Sequence, residues 1–159
     1  MEDDVVKAGS TALSRIVVAR FGPGEDFFQS LIALCEKMEV ESGAITSMIG
    51  SLEEATMVCV AKDEKGQARY LDPLYIAGPL EFIGAQGIIG KNKDGTVALH
   101  LHGSVAGSDM RPHAGHFVDS GRNRVLATME VVISVFETVR MVRSFDEETG
   151  FVLFKLFSQ

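Results

Sequence analysis

Only one stretch of this chain carries helical spacing, and that limits its fold more than any other feature. Phe27, Phe28, Leu31, Ile32, Leu34, Cys35 and Met38 recur at intervals of three and four, which makes one broad apolar stripe. Gly22-Pro23-Gly24 breaks the chain just before it. Glu25 and Asp26 suit the positive end of a helix, and Gly43 is a plausible stop. One such helix must bury its stripe against something else, and the rest of the sequence offers strands.

Leu13 to Phe21 is β-branched and apolar and reads as a first strand. Ala44 to Leu52 and Ala55 to Ala61 are short apolar runs around Glu53-Glu54. Residues 62–66 read as a charged turn, and 67–79, with Pro73 and Pro79, as a loop with a short extended piece. Leu80 to Ile89 and Thr96 to Val105 are strands joined through Asp94-Gly95, a strong hairpin signal. Residues 106–115 read as a loop, Val125 to Val142 as the longest β-rich stretch, and Phe151 to Phe157 as the last strand. One helix and many consecutive strands predict an α+β fold, with one main helix packed on a largely antiparallel β-sheet. No repeat or composition shift marks a second domain. Residues 1–12 form an expected flexible arm, and 13–159 a single domain.

Charge narrows the function classes. Fifteen Lys and Arg stand against 22 Asp and Glu, a formal net charge of −7. Affinity for nucleic acid comes largely from basic side chains that displace counterions, so this balance disfavours DNA as a partner. No run of 18 uncharged apolar residues predicts a membrane span, and the acidic start, Met1-Glu2-Asp3-Asp4, lacks the features of a secretory leader. Cys35 and Cys59 make no framework and are expected as small buried hydrophobes. These features fit a soluble cytoplasmic protein.

All four histidines, His100, His102, His113 and His116, fall within 17 consecutive residues. Residues two apart on a strand share a face and lie about 6.6 Å apart along it, so His100 and His102 can converge on one ion. Val97, Leu99, Leu101 and Val105 form the opposite, apolar face. A third nitrogen is available across the loop from His113 or His116. Three histidines with an open position make a catalytic-type zinc layout, and imidazole also suits iron, nickel and copper. The plainer alternative is a set of histidines that line a polar surface without a metal.

Other candidates are weaker. Glu130, inside an apolar strand between Met129 and Val131, needs a partner, a cavity or an edge, and could move protons or orient a ligand histidine. Gly84-x-x-Gly87-x-x-Gly90 has the wrong spacing for a dinucleotide fingerprint and fits strand ends and bulges better. Ser104 lacks a nucleophile elbow, and Arg111-Pro112 lacks the basic flanks of a minor-groove hook.

Several segments together resemble the plants and prokaryotes conserved (PPC, also PCC) domain. They are Arg20 with Gly24-Glu25-Asp26-Phe27, Ile49-Gly50-Ser51-Leu52, Leu80-Glu81-Phe82-Ile83 with Gly87, Leu99-His100-Leu101-His102 with Gly115-His116, and Thr128-Met129-Glu130-Val131. The resemblance covers about residues 13 to 145. It implies an α+β domain that assembles as a homotrimer. It also implies a metal site, zinc first, on His100, His102 and His116, with His113 as a loop neighbour. The family fold is similar to that of acetolactate decarboxylases, which use a three-histidine zinc. Prokaryotic relatives often carry a DNA-binding label, and plant members join the domain to AT-hooks that this chain lacks. The family usually has two glycines before the third histidine, where this chain has Ala114-Gly115.

Two readings follow. In the first, a trimer carries a three-histidine zinc-type site, or another divalent transition metal, for a small carbonyl or hydroxy-acid ligand, with Glu130 or Glu25 handling protons. In the second, the chain is a DNA-binding or scaffold module whose metal is structural or absent.

Overall fold

The computed structural model describes residues 5–6 and 8–158; the acidic start at 1–4, Lys7 and Gln159 lie outside the described residues. The elements in chain order are β1 (Val5–Val6), β2 (Leu13–Phe21), α1 (Phe27–Lys37), β3 (Gly43–Val58), β4 (Val60–Lys62) and β5 (Ala68–Tyr70). They continue with β6 (Leu74–Asn92), β7 (Val97–Ala106), β8 (Pro112–Phe117), β9 (Val125–Phe136), β10 (Val139–Phe145) and β11 (Val152–Ser158). The protein is mostly sheet, and α1 is its one short helix among the described residues.

Helix α1 starts where its cap chemistry dictates. Asp26 Oδ1 accepts from the backbone N–H of Phe28 (3.0 Å) and Gln29 (3.2 Å), two donors that the first turn leaves free. Phe27, Phe28, Leu31 and Cys35 form its buried face. Burying side chains of this size is worth about 1.5–3 kcal/mol each. Gly43 does not stop the helix: it ends at Lys37, Glu39 turns the chain with a φ of 51°, and Gly43 opens β3.

The sheet runs β1-β11-β10-β6-β7-β8-β3-β9-β2, with an added β6–β3 pairing, and β4-β5 form a separate hairpin. All pairings are antiparallel except β10 with β6. Because β3 pairs β6 along one edge and β8 at its end along the other, strands β3, β6, β7 and β8 close a circuit. Beyond it, β9 and β2 extend from β3, and β10 and β11 from the end of β6. Phe27, Phe82 and Phe117 meet in the core, with ring centroids 5.4–5.8 Å apart.

Three segments differ from the sequence reading. Residues 74–79, expected within a loop, are the start of β6 and pair with β3 from Met57↔Leu74 to Glu54↔Ala77. Residues 44–58 are one strand, because the Glu53-Glu54 interruption is absorbed by a register shift between Leu52 and Glu54. Residues 112–115 are not loop but the start of β8, in register with β7 from Val105↔His113 to Leu101↔Phe117. Pro112 stands at the first position of that strand, where its missing N–H costs little. The glycines of β6 act as strand glycines: a register shift falls between Phe82 and Gly84, and a Cβ on Gly87 would stand 2.3 Å from the His100 carbonyl oxygen.

Polar groups tie the ends of these elements together. Buried Asn123 accepts from the Thr56 N–H (3.0 Å) and donates to the Val118 carbonyl (2.8 Å), while its own N–H bonds Asp26 Oδ2 (2.9 Å). Glu54, 6% exposed, receives the Tyr75 hydroxyl on Oε2 (3.0 Å) and faces Arg124 Nη2 at 2.7 Å on Oε1. No helix of the described residues is long and apolar enough to cross a membrane.

Candidate metal centre

The β7 alternation puts Leu99 and Leu101 into the core and His100 and His102 on the other face. β8 lies antiparallel beside it, with His116 directly opposite His102. The three imidazoles thus meet on one surface: His100 Nε2 lies 3.0 Å from His102 Nε2, and His116 Nδ1 lies 3.2 Å from that same nitrogen. One ligand atom from each falls within 4.8 Å of the others. His113, in register with Val105, sits an odd number of residues from His116, is exposed, and stays outside the cluster.

The backbone of β8 is fitted for this approach. A Cβ on Gly115 would lie 2.7 Å from the Val58 carbonyl oxygen, so glycine is required between Ala114 and His116. Ala114 itself has no positive φ, so the departure from a double glycine does not distort the strand. Tyr70 of β5 lays its ring 5.4 Å from that of His116 and 5.2 Å from that of Phe151.

Electrostatics keep the cluster ready for a cation. Burial, then the neighbouring His100, His102 and Arg143 charges, pushes His116 from 6.5 down to about 4. His100 is lowered as well, first by burial, then by His102 and Arg143. Both rings are therefore neutral near pH 7, the form that ligates metal. Arg143 of β10 is held by the carbonyl oxygens of Leu99 and Val152, each 3.3 Å away, and its Cζ lies 5.7 Å from the Phe154 ring centroid.

Three concavities border the triad. Two lie on the outer face of the sheet, about 450 and 570 Å³, where Thr46 and Gln86 flank His102. The third, about 260 Å³, lies between the free edge of β7 at Val97–Leu99, helix α1 and Arg143, and has His116 in its wall. Neither Glu25 nor Glu130 lines any of these three. Glu25 caps the turn before α1, accepting from the Gly22 N–H (3.3 Å) and the Ser30 hydroxyl (3.1 Å). Glu130 is exposed on β9, in register with Arg20 and Ile49, beside a separate concavity.

The sequence reading missed Arg143 and Tyr70. Arg143 had one legible signal, a charged residue amid the apolar alternation of residues 139–145; Tyr70 had none. Of the cysteines, Cys35 is buried as expected, with its thiol raised to about 11 chiefly by desolvation, but Cys59 is exposed. It follows the last β3 residue, where the chain turns outward into the β4–β5 hairpin.

A profile of the Plants and Prokaryotes Conserved (PCC) domain matches residues 8–137. The chain belongs to the PCC family. Among solved structures, this PCC domain is similar to a metal-containing protein from Archaeoglobus fulgidus, at 21% identity and a TM-score of 0.79, over 94% of this chain and 99% of that one. A plant- and prokaryote-conserved protein from Pyrococcus horikoshii gives 21% identity and 0.79, over 94% and 96%. A Bacteroides thetaiotaomicron protein named as a candidate DNA-binding protein gives 22% and 0.72, over 90% and 93%. At these identities the likeness shows the fold. No curated protein sequence matches the chain at a significant level.

Proposed function

We propose that His100, His102 and His116 hold a divalent transition metal, zinc in first place, and that this centre acts on a small carbonyl or hydroxy-acid ligand. One observation carries the reading. His102 Nε2 makes short contacts to two other ring nitrogens at once. A ring nitrogen offers either one hydrogen or one lone pair, so both contacts cannot be good in-plane hydrogen bonds. A shared cation satisfies all three lone pairs together. Metal–nitrogen bonds of about 2.0–2.1 Å at angles of about 90–110° put ligand nitrogens about 2.9–3.4 Å apart, and the observed 3.0 and 3.2 Å fall in that range.

When bound, such a metal supplies Lewis-acid polarisation of a carbonyl or hydroxyl oxygen at its open positions. The chain's own part is to fix three imidazoles on adjacent strands and to set the Tyr70 ring against His116. The reading needs neither Glu25 nor Glu130. Elemental analysis of tag-free protein purified without chelator tests it: about one metal per chain is expected, lost in His100→Ala. No uptake at pH 8, with zinc offered in excess, overturns it.

The family resemblance further supports assembly as a homotrimer. Val18, 73% exposed, and Ile83, 54% exposed, stand on the surface, which suits burial between subunits. Light scattering at three times the chain mass is the expected result, and a monomer mass refutes it. A second reading, DNA binding, draws on the name of the Bacteroides relative. It predicts duplex binding with a steep salt dependence, against a net charge of −7.

A further inference from the structure

The cavity of about 260 Å³ between β7, α1 and Arg143 is an unexplained feature of the inner side of the site. It exists because β8 covers the β7 edge only from Leu101 onward, leaving Val97–Leu99 uncovered. Phe28 supplies an apolar wall; Asn92, Arg143, Asp119 and His116 supply polar ones. From this we infer that the cavity is an acid-group subsite, in which Arg143 receives the carboxylate of a small ligand whose neighbouring oxygen faces His116, the one member of the triad in its wall. The inference rests on the metal reading for the second half of that statement and on Arg143 alone for the first.

Charge is the first argument. Arg143 forms no ion pair among the described residues. Among the described residues one carboxylate stands on the cavity wall, Asp119; it accepts from Gln29 Nε2 on both oxygens, at 3.0 and 2.9 Å, and keeps its single negative charge, because the amide is neutral. The triad brings no negative charge of its own. A divalent ion on the three rings, with a guanidinium beside it and the single charge of Asp119 against them, would leave a net cationic site, and in a part-buried setting that favours an anionic ligand.

Donor capacity is the second. Arg143 commits two of its five N–H groups, one each to Leu99 O and Val152 O. Its buried Nε has no partner in the structure. Those two carbonyls and the Phe154 ring hold the guanidinium in place, so a planar carboxylate meets a pre-arranged fork rather than a mobile charge. Size is the third: the volume lies below the range of about 300–1,000 Å³ usual for drug-sized ligands, so the occupant has few heavy atoms.

Glycolate is the probe, with ethylene glycol as its neutral counterpart. The arginine Nε–H signals of the full chain are followed by proton–nitrogen NMR, metal-free and zinc-loaded, and Arg143 is assigned by its loss in Arg143→Lys. The Arg143 signal is expected to move with glycolate and to stay put with ethylene glycol. Zinc loading should tighten glycolate at least tenfold. Arg143→Gln should keep its zinc and lose at least tenfold in glycolate affinity. Should that variant fail to fold, the wild-type signal decides alone. If zinc is taken up while the Arg143 signal ignores glycolate, or if the folded Arg143→Gln protein binds glycolate as the wild type does, the subsite is wrong and the metal reading stands. If no zinc binds but the signal still follows glycolate, the metal reading falls and the carboxylate subsite stands.

Discussion

Set side by side, the Glu54 cluster and the histidine triad are both polar groups built on the closed circuit of strands, the first on β3 and β6 and the second on β7 and β8, yet only one carries its own counter-charge. Glu54 is buried, and each of its oxygens has an oppositely polarised neighbour: Arg124 Nη2 at 2.7 Å and the Tyr75 hydroxyl at 3.0 Å. Arg122 in turn lies over the Tyr75 ring at 5.3 Å. The triad gathers three bases against one another, with a cation, Arg143, near two of them. A polar cluster that balances its own charge is a structural joint. A cluster that collects like groups without a counterpart is organised around something that arrives from outside.

The comparison breaks most visibly at His102. His102→Ala should reduce bound metal from about one per chain to none, by elemental analysis, with the circular dichroism of the sheet unchanged; metal retained at stoichiometry would remove the triad's purpose. His113→Ala should leave the metal content as it was. Next in size, Arg124→Met should cost about 1–3 kcal/mol of stability, because it strands a buried carboxylate. The same variant should bind metal normally, and urea denaturation with a metal assay separates the two effects. A stability loss accompanied by loss of metal would mean that the clusters are coupled rather than distinct.

Acid should distinguish them further. Folded His116 stays neutral down to about 4, whereas the unfolded chain protonates it from 6.5. The unfolded state therefore binds more protons between those values, and its share of stability is complete above the window. The metal-free protein should lose that share as pH falls from about 6.5 to 4 and lose no more of it below, as seen in denaturation midpoints. The smallest effect belongs to Tyr70. Tyr70→Ala removes a ring contact worth about 0.5–1 kcal/mol, so metal affinity should weaken about two- to fivefold in competition with a coloured chelator.

Some of this was readable from residues alone. The helix was legible because its stripe and its aspartate cap are local, and the histidine face because even spacing on a strand needs no knowledge of neighbours. The choice between His113 and His116 was not, because it depends on the register of β8 on β7. That strand was itself hidden: Gly107, Ser108 and Pro112 have loop chemistry, and its ladder forms only through non-local pairing. Likewise Glu53-Glu54 reads as an interruption until the bulge in β3 provides an inward place for one acid. Arg143 reaches the site through the parallel β10–β6 pairing, which joins segments about fifty residues apart (Arg143↔Asn92) and leaves no short-range trace.

The closed circuit of strands has a seam. β8 meets β3 through only two register pairs, Met57↔Phe117 and Val58↔His116, whereas β3 and β6 are paired along most of their length. His116 thus stands at the position where the ring of strands would open first. An ion that fastens His116 to His100 and His102 would rivet that seam from the side. Amide protons at Val58 and His116, whose pair carries the hydrogen bonds of the seam, should then exchange with solvent far more slowly in zinc-loaded protein than in metal-free protein, while those in the middle of β9 barely change. Occupancy of the site and the breathing of the barrel would be one equilibrium seen from two ends.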